Sequence, residues 1–387
     1  MKYFFFIFFF TSAVLSASLS NPTWSFSPSV AEGTQFDAQA GPNNLIHLIS
    51  SNYYQLDLTG NIVVNEDQGE EGKNLWSYPP AIAVGEDGSA HIITRSQASG
   101  DDADHDIRYR RRNSEGNWDR DYIVGGRASH NRIVGIGLTN SAIIMSSTER
   151  TNDVWGNVNF WKGGEDSASF IGSISDIWRA DADNRLRGQN DTVYLVSGRP
   201  EGGGAAYFSQ ADTSTEGIRD RLVANMQTHD QEPERHGFPD LALDGQNYAH
   251  FAYGAASSVY YNKYDANGAK VFADNIKVFG DLVDWGLDAG LSAIAVSESG
   301  EIVVIVALDP DDEGENDPDE RGAMNCDLLW AYSTDGGETW SNPQDTGHNS
   351  DTGEGRRRPR LVAIGDSFVL LYGDTQESGI SMGVLTF

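Results

Sequence analysis

Short apolar runs in this chain are broken by turns of Gly, Asn and Asp, and the resulting phrase recurs seven times. Each copy is an apolar strand, a polar turn and a second apolar strand that often ends at a small residue. The copies begin at Phe36, Ala81, Ile133, Arg179, Leu241, Ala293 and Leu361, as in FDAQAGPNNLIHLISS and AIAVGEDGSAHIITRS. Alternation with period two and Gly-bearing turns predict antiparallel strands rather than helices. The spacing of the copies suits four-stranded propeller blades.

After each of the first six copies comes an aromatic-rich third strand and a polar turn to a fourth. Examples are YYQLDLTGNIVV from Tyr53, AAYFSQADTSTEGIRDRLV from Ala205 and VYYNKYDANGAKVF from Val259. No stretch reads as a long amphipathic helix. The seventh unit stops at a third strand, Ile380 to Phe387, and TWSFSPSV (Thr23 to Val30) is available to supply its fourth. The expected fold is therefore all-β, a seven-bladed β-propeller of four-stranded antiparallel blades. The N-terminal strand completes the last blade, which closes the ring and removes two open sheet edges.

The opening MKYFFFIFFFTSAVLSASLS, one Lys before an apolar run and then small residues, predicts a signal peptide over about residues 1–18. The propeller then occupies 21–387 as a single domain in a secreted, extracellular or periplasmic, protein. No later run is apolar enough to span a bilayer. Cys326 is the only cysteine, so no intramolecular disulfide can form. A net charge of −30 offers no basic footprint for nucleic acid, and nothing marks an oligomer interface, so a monomer is expected.

One turn is specific. Ser333-Thr334-Asp335-Gly336-Gly337-Glu338-Thr339-Trp340 matches S-x-D-x-G-x-T-W in full, and Ser114-Glu115-Gly116-Asn117-Trp118 is a degenerate second copy. On these turns and the repeat, the chain resembles the sialidase-like, BNR-repeat (Asp-box) propeller superfamily. Such turns are structural, so the resemblance speaks for fold and not for chemistry.

In a propeller whose first strand is innermost, the links between blades share one face with the links from second to third strand. That face is the richer one here. Trp76, Trp155, Trp178, Trp285 and Tyr78 fall in its links, as aromatic platforms for sugar rings would. Arg132, Arg150, Arg179, Arg199, Arg235 and the run Arg356-Arg357-Arg358-Pro359-Arg360 lie at strand ends on the same face. In so acidic a chain this clustering points to an anionic ligand held by bidentate contacts. His130 and His236 each precede an innermost strand and can act as bases. His47, His91 and His250 share one repeat position and are expected to be scaffold. Arg108, Arg110, Arg111 and Arg112 sit on an outer strand and read as a solvated edge. No cofactor is expected; the acidic run Asp309 to Glu320 is a candidate for structural calcium but lacks EF-hand spacing.

A sialidase would carry Y/F-R-I-P early in the chain, and the nearest echo is Gly198-Arg199-Pro200 in the fourth blade. By architecture the chain also resembles secreted seven-bladed polysaccharide lyases, the ulvan lyases and rhamnose–glucuronate lyases among them. That resemblance implies cleavage of an anionic, uronate-containing polysaccharide by β-elimination. It implies His130 or His236 as base, Tyr253 as acid or partner, and Arg199 as neutraliser of the uronate carboxylate. Substrate contacts then fall to Arg132, Arg150, Trp76, Trp178, Arg179, Arg235, Trp285 and Arg358. Two alternatives stand beside it. A sialidase-like or exo-acting glycoside hydrolase needs a carboxylate pair, for which Asp176, Asp240 and Asp284 are placed; the other is a non-catalytic glycan-binding propeller.

Overall fold

In the computed structural model the described residues are 22–33, 35–68, 79–97, 104–129, 131–150, 156–174, 184–198, 206–229, 239–255, 258–280, 282, 292–310, 326–347, 359–374 and 379–387. They form seven four-stranded antiparallel sheets, the blades of a β-propeller. Six blades are consecutive in sequence, with innermost strands Asp37–Ala40, Ala81–Val84, Asn131–Leu138, Asn184–Gln189, Asp240–Leu243 and Ser292–Val296. The seventh runs outward from Arg360–Ile364 through Ser367–Asp374 and Gly379–Thr386 to Thr23–Glu32. The N-terminal strand thus closes the ring as the sequence predicts, with Trp24 opposite Leu385 and Phe26 opposite Gly383. The expected signal peptide, residues 1–18, and most of the acidic run lie outside the described residues.

Seven apolar clusters hold the ring together, each filling the seam between two neighbouring blades. Inner and second strands are therefore buried on both faces. This explains why Val303 to Ala307 is an unbroken apolar run, every residue of it fully buried. At the ring closure Trp24 meets Trp330 edge-on at 5.7 Å, tying the N-terminal strand to the sixth blade as well as the seventh.

Outer strands depart from expectation in the fourth blade. The segment read as its fourth strand is a short helix, Ile218–Ala224, and the fourth strand is Gln227–His229. Ile218 and Leu222, four apart, put their side chains on one helical face in the seam with the third blade. Two apolar residues among polar ones look the same in an exposed strand, which is why periodicity missed it.

The turn at Ser333 to Trp340 is held by its own side chains. Asp335 Oδ1 accepts from Thr339 N–H at 2.8 Å, Ser333 Oγ accepts from Gly337 N–H at 2.8 Å, and the Trp340 indole donates to Gly337 O at 3.1 Å. Gly337 has φ 95°, and a Cβ there would lie 2.3 Å from Tyr261, so only glycine fits. Asp57, Asn113 and Asp265 brace the equivalent turns of the first, second and fifth blades, each accepting from residues two and four ahead.

Arg108, Arg111 and Arg112 are not a freely solvated edge. They make two-pronged contacts to Asp121, Asp119 and Glu66, while Arg110 lies over the Trp118 ring at 4.5 Å. Glu66 belongs to the first blade, so this stripe also links blades one and two.

The three repeated histidines are scaffold. The Nδ1 atoms of His47, His91 and His250 lie 2.8, 2.8 and 2.9 Å from the hydroxyls of Tyr53, Tyr109 and Tyr261 on the neighbouring third strand. Burial, reinforced by Arg112 near His47 and Arg111 near His91, pushes both imidazoles down to about 4. Burial also lowers His250, although Asp244 opposes it. All three are therefore neutral at pH 7. The folded values of His47 and His91 lie below the unfolded one, so the contribution of these two is complete above about 6.5 and is lost as pH falls through about 4. His47 and His91 each account for on the order of 3 kcal/mol of that loss. Denaturant unfolding at pH 7 and pH 4.5 should show a large drop in stability, and His91→Gln should flatten the pH dependence.

Candidate functional site

Charged side chains converge at one end of the innermost strands, where apolar packing would be the simpler solution. Asp37 and Asp240 are the first residues of their strands, Arg360 the first of its own, and Arg185 the second. Asp37 pairs with Ile49, the last residue of its second strand, while Asp240 pairs with Ala252 and Arg360 with Leu371, near the middle of theirs. The group therefore lies where inter-blade links enter and second-to-third links leave. This is the face on which the sequence places the cleft.

Asp37 is the hub. Its Oδ1 accepts from Arg185 Nη1 at 2.9 Å and lies 3.3 Å from Arg360 Nε, while Arg187 Nη1 is 3.7 Å from Oδ2. That Oδ2 also accepts the backbone N–H of Ile82 at 3.1 Å. One carboxylate with no exposed surface thus ties blades one, two, four and seven together across the axis. Arg185 reaches on to Asp240, with Nε 3.4 Å from Oδ1, and Asp240 Oδ2 accepts the N–H of Ile294 at 3.2 Å. Asp37 and Asp240 hold the same repeat position and use the same device, a carboxylate stitching its blade to the inner strand of the next. Burial pushes the Asp240 carboxyl above its ordinary value, against the pull of Arg185 and Arg187.

Below this ring runs an axial cavity of about 270 Å³. Its walls are the inner strands of blades one, four, five, six and seven, with Gln39, Arg187, Gln189, Asp240 and Arg360 among the lining residues. The backbones crowd closely on the fourth-blade side: a Cβ at Gly188 would lie 2.2 Å from the carbonyl oxygen of Leu138.

Of the residues the sequence nominates, Asp240 and Arg360 are in this ring. Asp37, Arg185 and Arg187 are in it too and sequence reasoning passed over them. Tyr253 is fully buried in the seam between blades four and five. It stacks against Phe251 at 5.2 Å and Tyr260 at 5.6 Å, and its hydroxyl accepts from Asn275 Nδ2 at 2.9 Å. Tyr253 and Phe251 share one face of their strand, the face turned to the neighbouring blade, so the structure does not bring Tyr253 to the ring of charges. Arg132 and Arg150 lie in the described strands Asn131–Leu138 and Ile143–Arg150, but their side chains are outside the described set. His130, His236, Arg199, Trp76, Trp178, Arg179, Arg235, Trp285 and Arg358 fall outside the described residues, as do Asp176 and Asp284.

No protein-family model matches the chain, and no curated protein matches it in sequence. Among solved structures it is similar to the α-L-arabinanase of Penicillium chrysogenum complexed with arabinobiose, at 10% identity and a TM-score of 0.46 over 92% of this chain and 98% of that one. It is also similar to a subtype N11 neuraminidase-like protein of A/flat-faced bat/Peru/033/2010 (H18N11), at 9% identity and a TM-score of 0.41 over 94% of this chain and 93% of that one. A third is the SapL1 lectin in complex with α-methyl fucoside, at 8% identity and a TM-score of 0.43 over 81% and 100%. Similarities this low transfer no residue roles.

Proposed function

We propose that this protein acts on an acidic, uronate-containing polysaccharide bound on the face at which the innermost strands begin, and cleaves it by β-elimination. The observation that supports this most is the charged floor of that face. Three guanidinium groups and two carboxylates meet there, where a purely structural axis would be closed by apolar side chains. Sugar chains are recognised by planar charged groups that hydrogen-bond their hydroxyls, and guanidinium groups favour carboxylates.

Elimination requires removal of the C5 proton of the uronate. The electron pair then forms the C4–C5 double bond, the C4–O bond breaks, and the leaving oxygen takes a proton. The C5 proton is acidic enough only while the charge developing on the neighbouring carboxylate is neutralised. His130 or His236 serves as base in this reading and Arg199 as neutraliser. With Tyr253 engaged in a blade seam, protonation of the leaving oxygen falls to the other histidine. Incubation with ulvan or another polyuronate should produce absorbance at ~235 nm from the unsaturated product, and His130→Ala or His236→Ala should lower the rate by roughly 10²–10⁴-fold.

Asp240 favours one alternative, a hydrolase. Its carboxyl is buried, pushed toward the neutral acid form, and joined through Arg185 to a second carboxylate. New reducing ends without the 235 nm signal, abolished by Asp240→Asn, would establish hydrolysis in place of elimination.

A further inference from the structure

Among the described residues the axial ring carries more positive than negative charge. There Arg185, Arg187 and Arg360 face Asp37 and Asp240, three guanidinium groups to two carboxylates, and all five side chains are at most 16% exposed. An uncompensated buried charge costs several kcal/mol. The surplus is located in particular atoms. Arg360 is 5% exposed; its Nη1 donates to Pro359 O, but among the described residues its Nη2 and Nε have no hydrogen-bond partner, Nε facing Asp37 only at 3.3 Å. Arg187 comes no closer to Asp37 than 3.7 Å, beyond hydrogen-bonding reach. Both arginines line the axial cavity. Asp240, the remaining acid on its wall, is shared with Arg185 and is pushed toward its neutral form, which widens the imbalance.

We propose that this cavity holds one small monovalent inorganic anion, of the halide or nitrate class, on the uncommitted guanidinium donors of Arg187 and Arg360. A single negative charge balances the surplus. Gln39 and Gln189 also line the cavity, and among the described residues no lysine and no third arginine does, which suits a singly charged ion better than a phosphate or sulfate. Because Arg360 is in the closing blade and Arg187 in the fourth, the anion bridges the ring across its axis. Its binding adds stability in proportion to the logarithm of its concentration above Kd.

The inference stands apart from the catalytic reading. A protein without lyase activity would still carry the anion, and an active lyase with an empty cavity would refute only this site. Thermal unfolding of the full mature chain is measured at fixed ionic strength, with sodium gluconate replaced stepwise by sodium bromide. The midpoint should rise with bromide along a logarithmic course, and crystals grown in bromide should give an anomalous peak within contact distance of both guanidinium groups. Arg187→Met should abolish the bromide dependence. A midpoint indifferent to which anion is present, or bromide density absent from the axis of the wild-type protein, overturns the proposal. The crystallographic arm decides the matter even if the variant fails to fold.

Discussion

Asp37→Ala should lower the free energy of unfolding by about 3–5 kcal/mol, a large share of the stability of an ordinary domain. The substitution removes the shared counter-charge of Arg185, Arg360 and Arg187 and the acceptor of the Ile82 N–H in a single step. Nothing can relax to repair this, because the side chain has no exposed surface and its partners come from three other blades. Asp240→Ala should cost less, since Asp240 meets one arginine closely and one backbone N–H. Ala81 occupies the same repeat position in the second blade, so the position itself tolerates a small apolar residue. The penalty belongs to the ring of charges. Denaturant unfolding of both variants checks the ranking, and equal, small losses would contradict it.

Deleting the N-terminal strand should be more damaging still. Without Thr23–Glu32 the strand Gly379–Thr386 becomes an open edge, and Ile380, Met382 and Leu385 lose part of their cover. Phe26 packs so closely on Gly383 that a Cβ there would lie 2.5 Å from its ring, and Trp24 bridges to Trp330. A chain beginning at Phe36 is expected to lose cooperative unfolding and to aggregate through its exposed edge. A peptide covering residues 22–33, added in trans, should restore solubility. A truncated chain with an unchanged melting transition would show that the ring does not depend on this closure.

Much of the fold was legible because a propeller repeats one local pattern. Each copy of the phrase names two strands, and the missing fourth strand after Ile380 pointed to the other end of the chain. His47, His91 and His250 could be set aside on repetition alone, and each proves to be paired with a tyrosine of its own blade. The same filter hid part of the site. Asp37 sits inside the first copy and Arg185 and Arg187 inside the fourth, so the repeat groups them with the scaffold. A usable signal was present: charges stand at the start of several of these short inner strands, where apolar residues would pack. What no local pattern contains is that residues 37, 185 and 360 meet, because their meeting is a property of the closed ring and its axis. Tyr253 shows the converse, since its repetition as Tyr372 matches a place in a blade seam, where both are buried.

Fold and function meet in one place: ligand is expected to bind over the charged ring, at the ends where the innermost strands begin. Diffraction from crystals soaked in a short oligouronate tests it directly. Sugar density should lie across the axis above Asp37, Arg185, Asp240 and Arg360. Density instead at the opposite face, among the short hairpins and the Ser333 to Trp340 turn, or on the outer strands, would contradict it.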